Sequence, residues 1–194
     1  MGTREIIEKI VKERETDGGI KSVVWIAAGG SNGGNYPAQY FMDREAKGIR
    51  SQMFTSNEFV YAPPKFVGRD TIAVVTSMRG TPETCVAAKV AKDLGAATIA
   101  LYVQESALTE TCDYKVKYDS IMFDESDQSQ TNAALGMRIA MDIVDIVEGY
   151  EFYDDAMAAY DILDKVYNDA KAYCMPLAGK WAYQNKDEHI ISDL

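Results

Sequence analysis

The stretch from Asp70 to Val103 holds two apolar segments separated by an amphipathic one, a pattern typical of a βαβ unit. Residues 71–75 and 97–103 are continuous runs rich in apolar and β-branched side chains, as expected of strands buried on both faces. Parallel strands need a crossover connection, and the segment between the two runs supplies one as a helix. The chain is therefore expected to build an α/β fold around a parallel sheet.

The helix of this unit has recognisable ends. Thr81 is a suitable N-cap, Pro82 occupies the first helical position, and Gly95 follows the last turn. One face is predicted to pack on the sheet, formed by Val86, Ala87, Val90, Ala91 and Leu94.

The loop that remains before this helix is polar. It contains Thr76, Ser77, Arg79, Gly80 and Thr81 at the point where a helix presents unpaired N–H groups and the positive end of its dipole. This composition favours an anion such as a phosphate. An ordinary helix start explains the same residues without a ligand, so other parts of the chain must decide between the two interpretations.

Composition limits the class of partner. The chain has 194 residues, 47% hydrophobic content and a net charge of −10 with a pI near 4.6. General binding to nucleic acid or to a membrane surface relies on basic patches, which are not visible here, so neither is expected. The three cysteines are widely spaced without a CxxC pair, which indicates reduced thiols. The sequence shows no signal peptide and no run long enough to span a membrane, so a cytoplasmic location is predicted.

A second strand with a polar loop and a helix lies near the start of the chain. Residues 22–28 read as a strand, residues 29–35 as a glycine-rich loop, and a helix is expected from there to about Lys47. The spacing does not match GxGxxG, because Ser31 stands at the third position of the motif, where its second glycine is needed. It does not match a P-loop either, because Asn35 and Tyr36 stand where Lys and Ser or Thr are needed. No nucleotide cofactor is therefore expected, although the glycines allow close approach of a ligand and Ser31 and Asn32 offer polar contacts.

The remaining segments complete a doubly wound sheet. A helix is predicted over residues 3–14, strands over 50–55 and 114–118, and a loop or helix start over 56–59. Together with the strands above, this makes a five-stranded parallel sheet flanked by helices.

Acidic residues precede a strongly apolar helix. Asp124, Glu125 and Asp127 could hold a divalent cation, but their spacing fits no EF-hand loop and no metal site is expected. The helix from about Thr131 to Glu148 is apolar nearly all round and should be buried, with a subunit interface as one possibility.

The tail is predicted to be a helical extension of the domain formed by residues 1–150. Apolar residues at heptad-like spacing from residue 153 onward indicate packing on another helix, and Pro176 is expected to kink or interrupt it. His189 is interpreted as a surface residue, and residues 190–192 as the start of a strand. Residues 151–194 are thus assigned to a helical extension or a linker.

Residues 27–48, 55–59 and 76–84 together resemble the sugar isomerase (SIS) domain family, most of all the first SIS domain of fructosamine-type 6-phosphate deglycases and the isomerase half of glucosamine-6-phosphate synthase. The resemblance covers nearly the whole chain. It implies a five-stranded parallel sheet with a phosphorylated sugar over the carboxyl ends of the strands, and no cofactor.

The resemblance also implies roles for individual residues. The family's first sugar-contacting loop corresponds to Gly30 and Ser31, with Asn32 beside them, and its second loop to Ser56 and Glu58. The phosphate-binding loop corresponds to Thr76, Ser77 and Thr81, and the segment before the next helix to Gln128 and Gln130.

This chain departs from the family in two respects. The phosphate loop of the family usually reads Ser-x-Ser-Gly-x-Thr, whereas Met78 and Arg79 replace the second serine and the glycine, and Arg79 can supply a charge instead. The deglycases and the synthase also carry two SIS domains, with catalytic Glu and His residues from the second domain or a neighbouring subunit. No catalytic base is assigned within this chain.

Three functional hypotheses follow. The first is an enzyme of aldose–ketose phosphate chemistry, an isomerase or a deglycase, which needs a carboxylate as general base. Within the loops the only candidates for this base are Glu58 and Glu83. Glu83 has a simpler role in offsetting the helix dipole. The second is a non-catalytic phosphosugar-binding or regulatory module that dimerises or forms a higher oligomer through its tail helix. The third is a flavodoxin-like or nucleotide-binding protein, which shares the architecture but lacks the fingerprint.

Overall fold

A single sheet of five parallel strands lies at the centre of the computed structural model, which describes residues 2–120 and 127–184. The strands lie in the order β2-β1-β3-β4-β5. Their bounds are β1 Ser22–Ala27, β2 Arg50–Thr55, β3 Thr71–Thr76, β4 Ala97–Tyr102 and β5 Tyr114–Lys117. Every residue of β1, β3 and β4 is buried, because helices cover both faces of the sheet. The predicted doubly wound α/β fold is confirmed.

Seven α-helices surround this sheet in the described part of the chain. They are α1 Thr3–Arg14, α2 Gly30–Glu45, α3 Ser56–Tyr61, α4 Pro82–Asp93, α5 Ala107–Thr111, α6 Asn132–Glu148 and α7 Tyr153–Gln184. Side chains of β1 alternate between two cores, with Val23 and Trp25 facing α1, α2 and α6, and Val24 and Ile26 facing α3, α4 and α5. The sheet is therefore packed on both faces.

The glycine-rich segment is helical rather than a loop, which corrects the sequence-based expectation. Helix α2 begins at Gly30, directly after Gly29, whose φ of +56° marks the turn out of β1. A Cβ at Gly34 would overlap the amide of Asn132, so this glycine allows α2 to approach α6 closely. At this position glycine serves helix packing, which loop-type composition alone does not reveal.

The buried face of α4 also differs from the prediction. Val86 and Leu94 are 48% and 41% exposed, whereas Ala87 and Ala91 are buried as predicted and Val90 is partly buried against the same core. The buried residues of α4 are Thr84, Ala87, Ala88 and Ala91. These small side chains recur at i, i+3, i+4 and i+7 and allow the helix to lie close to the strands. The buried face of α4 is thus formed by small side chains, with the larger Val86 and Leu94 at its exposed side.

The two C-terminal helices differ in burial. Helix α6 is packed into the core through a buried stripe from Leu135 to Val144. Helix α7 continues through Pro176 without the expected interruption. Its residues from Tyr153 to Asp164 contact the domain, with the hydroxyl of Tyr160 donating to the carbonyl oxygen of Ala134 at 2.7 Å. From Lys165 to Gln184 every described residue of α7 is exposed.

Some sequence-based expectations concern parts of the chain outside the described residues. They are the cation ligands Asp124 and Glu125, the surface residue His189, and the strand over residues 190–192. None of the helices within the described ranges is both long and apolar enough to cross a membrane.

Candidate functional site

The candidate site lies where the carboxyl ends of β1 and β3 meet. The final residues of these neighbouring strands, Ala27 and Thr76, are paired in the sheet. From there the chain enters α2 on one side and the β3–α4 loop on the other, so residues 28–32 and 77–81 share one edge of the sheet. Strand order also reverses between β1 and β3, and open α/β sheets bind ligands at such a switch point.

Two adjoining cavities open at this edge. The first, here called the β3–α4 cavity, has a volume of about 280 Å³ and is lined by Ala28, Ser31, Ser77, Met78, Arg79 and Thr81. The second, the β5–α6 cavity, has a volume of about 350 Å³ and is lined by Ala28, Gly30, Ser31, Met78, Tyr118, Ser120 and Asn132. Because three lining residues are common to both, the two cavities form the halves of one site.

The hydroxyl of Ser77 has a fixed hydrogen-bonding role. Its oxygen accepts hydrogen bonds from the backbone N–H groups of Gly80 and Thr81, both at 3.1 Å. A serine oxygen has two acceptor positions and one proton, so with both positions occupied Ser77 can only donate. The hydroxyl of Thr81 is 3.5 Å away, a long distance for that proton. Ser77 is therefore set to donate to an acceptor in the β3–α4 cavity.

The loop that carries Ser77 is held in place by backbone contacts. The carbonyl oxygen of Met78 accepts hydrogen bonds from the N–H groups of Val103 and Gln104, at 3.2 and 2.9 Å. Gly80 has a φ of +71°, and a Cβ there would overlap the side chain of Ser106. A left-handed conformation and a lack of space both require glycine at this position. The loop is thus preformed rather than shaped by a ligand.

Several predicted residues at this edge already have partners within the protein. Thr76 is fully buried, and its hydroxyl donates to the side-chain oxygen of Asn35 at 2.9 Å. Ser56 is buried and bonds the hydroxyl of Thr84 at 2.8 Å. Glu58 is exposed and belongs to the capping box of α3. These residues support the edge, whereas Gly30, Ser31, Ser77, Arg79 and Thr81 line the cavities.

The two glutamines and Asn32 are not among the described lining residues of either cavity. The backbone N–H of Gln128 donates to Asp164 on α7 at 3.1 Å. Gln130 lines a separate cavity of about 490 Å³ beside the first turn of α1. Asn32 lies in the first turn of α2 with a buried side-chain oxygen that has no hydrogen-bond donor.

Sequence reasoning missed Asn35, Tyr118, Ser120 and Asn132. Tyr118 follows directly after the edge strand β5, and burial raises the pKa of its hydroxyl above the ordinary value while a hydrogen bond from Ser31 acts in the opposite direction. The phenol therefore stays neutral. Its position at the end of a predicted strand was the available signal, since parallel strands end at the ligand-binding edge.

Arg79 is the only charged side chain among the described residues that line the two cavities. It is exposed, and helix α4 begins three residues later. The site thus combines one positive charge, a helix N-terminus and an obligate hydroxyl donor, all of which favour an anion. Within the described ranges no three His, Cys, Asp or Glu side chains are grouped as metal ligands.

Comparison with known proteins identified one curated relative. The chain is 33% identical over 174 residues to the fructosamine deglycase FrlB of Bacillus subtilis (strain 168), an alignment that covers 89% of this chain and 52% of that protein. No family model matches the chain.

Two solved structures are similar in both fold and sequence. A candidate phosphosugar isomerase from Salmonella typhimurium LT2 superposes with a TM-score of 0.91 and 35% identity, over 96% of this chain and 56% of that chain. A candidate phosphosugar isomerase from Bacillus subtilis superposes with a TM-score of 0.83 and 30% identity, over 97% and 58%. The chain spans little more than half the length of these relatives.

Proposed function

The chain has a sugar isomerase (SIS) domain, and on this premise we propose that it binds a phosphorylated sugar or amino sugar as part of a phosphosugar isomerase or a fructosamine 6-phosphate deglycase. The observation that carries the proposal is the hydroxyl of Ser77, whose acceptor positions are both occupied by backbone N–H groups. Within the protein its proton has only the long, 3.5 Å contact with the hydroxyl of Thr81, so a ligand with a good acceptor would bind it better. In a sugar phosphate the strongest acceptor is a phosphate oxygen.

In this proposal the phosphate occupies the β3–α4 cavity. Ser77 and Thr81 donate hydroxyl protons to its oxygens, while Arg79 and the first turn of α4 supply positive potential. Because the chain as a whole has a net charge of −10, this local arrangement must outweigh the repulsion of an anion by the rest of the surface.

The sugar then extends into the β5–α6 cavity. Gly30, Ser31, Tyr118 and Asn132 offer neutral donors and acceptors there, which suit the hydroxyl and amino groups of a hexose. Ser31 and Met78 line both cavities and would lie beside the carbon chain that joins the phosphate to the ring.

Isomerisation and deglycation move a proton between adjacent sugar carbons and need a general base. The described residues that line the two cavities include no carboxylate and no imidazole. We propose that the base comes from outside these two cavities. We propose further that the whole protein acts on a sugar phosphate as an isomerase or a deglycase, and that it does so in the cytoplasm.

A non-catalytic phosphosugar-binding or regulatory module is the second candidate. The observation that favours it is the same lack of a carboxylate or imidazole among the described lining residues. Turnover of a fructosamine 6-phosphate by the purified chain would eliminate this alternative.

A thermal-shift titration tests binding. The ligands are fructose 6-phosphate, glucosamine 6-phosphate and a fructosamine 6-phosphate, with inorganic phosphate and the unphosphorylated sugars as controls. A ligand at 100 times its Kd stabilises the native state by about 2.7 kcal/mol, which shifts the melting temperature measurably. A shift for the phosphosugars that is weaker in Arg79→Ala supports the proposal, and no shift at millimolar ligand refutes it.

We also propose that α7 pairs with a second copy in antiparallel orientation along its exposed face. Ile162, Val166, Tyr173 and Leu177 are each more than half exposed. All acidic residues of α7 lie between positions 154 and 169, whereas its final 15 residues, 170–184, carry only Lys171 and Lys180 as charges. Antiparallel pairing would oppose acidic and basic halves. Light scattering after size exclusion should give a dimer that Ile162→Glu converts to a monomer, and a wild-type monomer would contradict this.

A further inference from the structure

A chain of hydroxyl groups connects the segment after β2 with the β3–α4 cavity. Ser56 Oγ lies 2.8 Å from Thr84 Oγ1, and Thr84 Oγ1 lies 2.8 Å from Thr81 Oγ1. Thr81 Oγ1 is in turn 3.5 Å from Ser77 Oγ. Only Ser77 and Thr81 line the cavity, because Thr84 is fully buried and Ser56 is 1% exposed. The two buried hydroxyls therefore act from behind the cavity wall.

Thr81 occupies the N-cap position of α4, but its side chain does not accept the usual hydrogen bond from the helix backbone. The N–H of Thr84 donates instead to the carbonyl oxygen of Thr81, at 3.0 Å. The hydroxyl of Thr81 is directed to the side chain of Thr84. A conventional cap would use this hydroxyl within the helix, so the arrangement leaves it available to both Thr84 and the cavity.

Each hydroxyl in this series has a single proton, which limits the directions that its hydrogen bonds can take. Thr84 is fully buried and bonds two hydroxyls, so accepting from both would leave its own proton without an acceptor. The favourable arrangement is therefore one in which it donates to one neighbour and accepts from the other. If Ser56 donates to Thr84 and Thr84 donates to Thr81, the proton of Thr81 is directed away from the chain and toward the cavity. In the opposite direction, Thr81 donates into the protein and presents only lone pairs to a ligand. An anion stabilises the first arrangement and opposes the second.

We infer that Thr84 is a positioning residue for anion binding: through its hydroxyl it holds the proton of Thr81 toward the ligand and links the Ser56 segment to the phosphate loop. The inference rests on the proposed function, since it requires an oxyanion in the β3–α4 cavity. Thr84 does not contact the ligand. Its effect on affinity must therefore pass through Thr81, which gives the inference a specific experimental signature.

The test measures the Kd of fructose 6-phosphate by isothermal titration calorimetry. Thr84→Val keeps the shape of the side chain but removes the hydroxyl, and is expected to weaken binding about five-fold, the value of one typical hydrogen bond. Thr84→Ser keeps the hydroxyl and should stay within about two-fold of the wild type. Thr98→Val is the matched control. Thr98 is also fully buried, and its hydroxyl donates to Asp113 near the amino end of β4, away from the cavity.

A double-mutant cycle separates positioning from general destabilisation. In a Thr81→Val background, Thr84→Val should cause no further loss of affinity. The inference is overturned if Thr84→Val binds like the wild type, if its loss is equal in both backgrounds, or if Thr98→Val weakens binding as much. If Thr84→Val does not fold, Ser56→Ala interrupts the same chain and should show the same dependence on Thr81.

The wild-type titration distinguishes the two levels of failure. Wild-type protein that binds neither fructose 6-phosphate nor inorganic phosphate refutes the proposed function together with this inference. Wild-type binding with an unaffected Thr84→Val variant refutes the positioning role alone.

Discussion

Replacement of Ser77 by alanine removes the hydroxyl on which the proposed site depends. Two backbone N–H groups, those of Gly80 and Thr81, lose an acceptor at 3.1 Å, and the ligand loses its obligate donor. Ser77 is only 4% exposed, but Thr81 is open to water, which can replace part of the lost bonding. The expected loss of unfolding free energy is therefore about 1–2 kcal/mol, in the lower part of the range for unsatisfied donors.

The effect on binding is expected to be larger than the effect on stability. A hydrogen bond to a charged group contributes about 1.5–3 kcal/mol, which corresponds to a loss of affinity of about ten- to hundred-fold for fructose 6-phosphate. Calorimetric titration gives the Kd and urea denaturation gives the unfolding free energy. Both measurements use the same protein preparation, so a folding defect cannot be mistaken for a binding defect.

Ser22→Ala is the matched control for this experiment. Ser22 is also 4% exposed, and its hydroxyl bonds that of Thr71 at 2.8 Å at the opposite end of the sheet. It should lower stability without changing the Kd. The reasoning is refuted if Ser77→Ala binds fructose 6-phosphate with wild-type affinity, or if Ser22→Ala weakens binding to the same extent.

Three further predictions concern other parts of the molecule. Gly80→Ala should lower the free energy of unfolding, measured by urea denaturation, by about 1–3 kcal/mol more than Gly19→Ala does. Both glycines have a positive φ, but only at Gly80 would the added Cβ overlap a neighbouring side chain. Equal losses in the two variants would contradict this. Burial raises the pKa of Asp142, so its ionised form is penalised in the folded state and stability falls as pH rises above about 4, the unfolded pKa. Asp142→Asn should therefore unfold at a higher temperature at pH 7, with an advantage that disappears near pH 4. Burial raises the pKa of Cys112 to about 12, so mass spectrometry should find iodoacetamide on the exposed Cys174 well before Cys112.

The sheet could be predicted from the sequence because its signals are local. The continuous apolar runs of β1, β3 and β4 indicate strands with helices on both faces, and the structure has them within one residue of the expected ends. The start of α2 was not predictable in the same way. Gly34 lies within α2 and leaves room for Asn132 of α6, a contact between residues 98 positions apart that neighbouring residues do not reveal.

The candidate site was predictable to the level of loops but not of individual hydroxyls. Residues 28–32 and 76–81 lie at one edge because parallel strands all end there. Which hydroxyls face the cavity depends on long-range partners. Thr76 and Asn35 are 41 positions apart, and Ser56 and Thr84 are 28 apart. The sequence shows these groups as equally available polar side chains, whereas the structure buries all four of them behind the cavity wall.

The β3–α4 loop retains a left-handed glycine despite its departure from the family pattern. Arg79 stands where the pattern has glycine, which at the sequence level implies the loss of a flexible backbone position. In the structure Gly80 adopts a φ of +71° and donates its N–H to Ser77, so the turn is made one residue later. Because the turn does not need position 79, that position can carry an exposed guanidinium at the rim of the cavity. The substitution therefore adds a positive charge to the loop without removing its glycine turn.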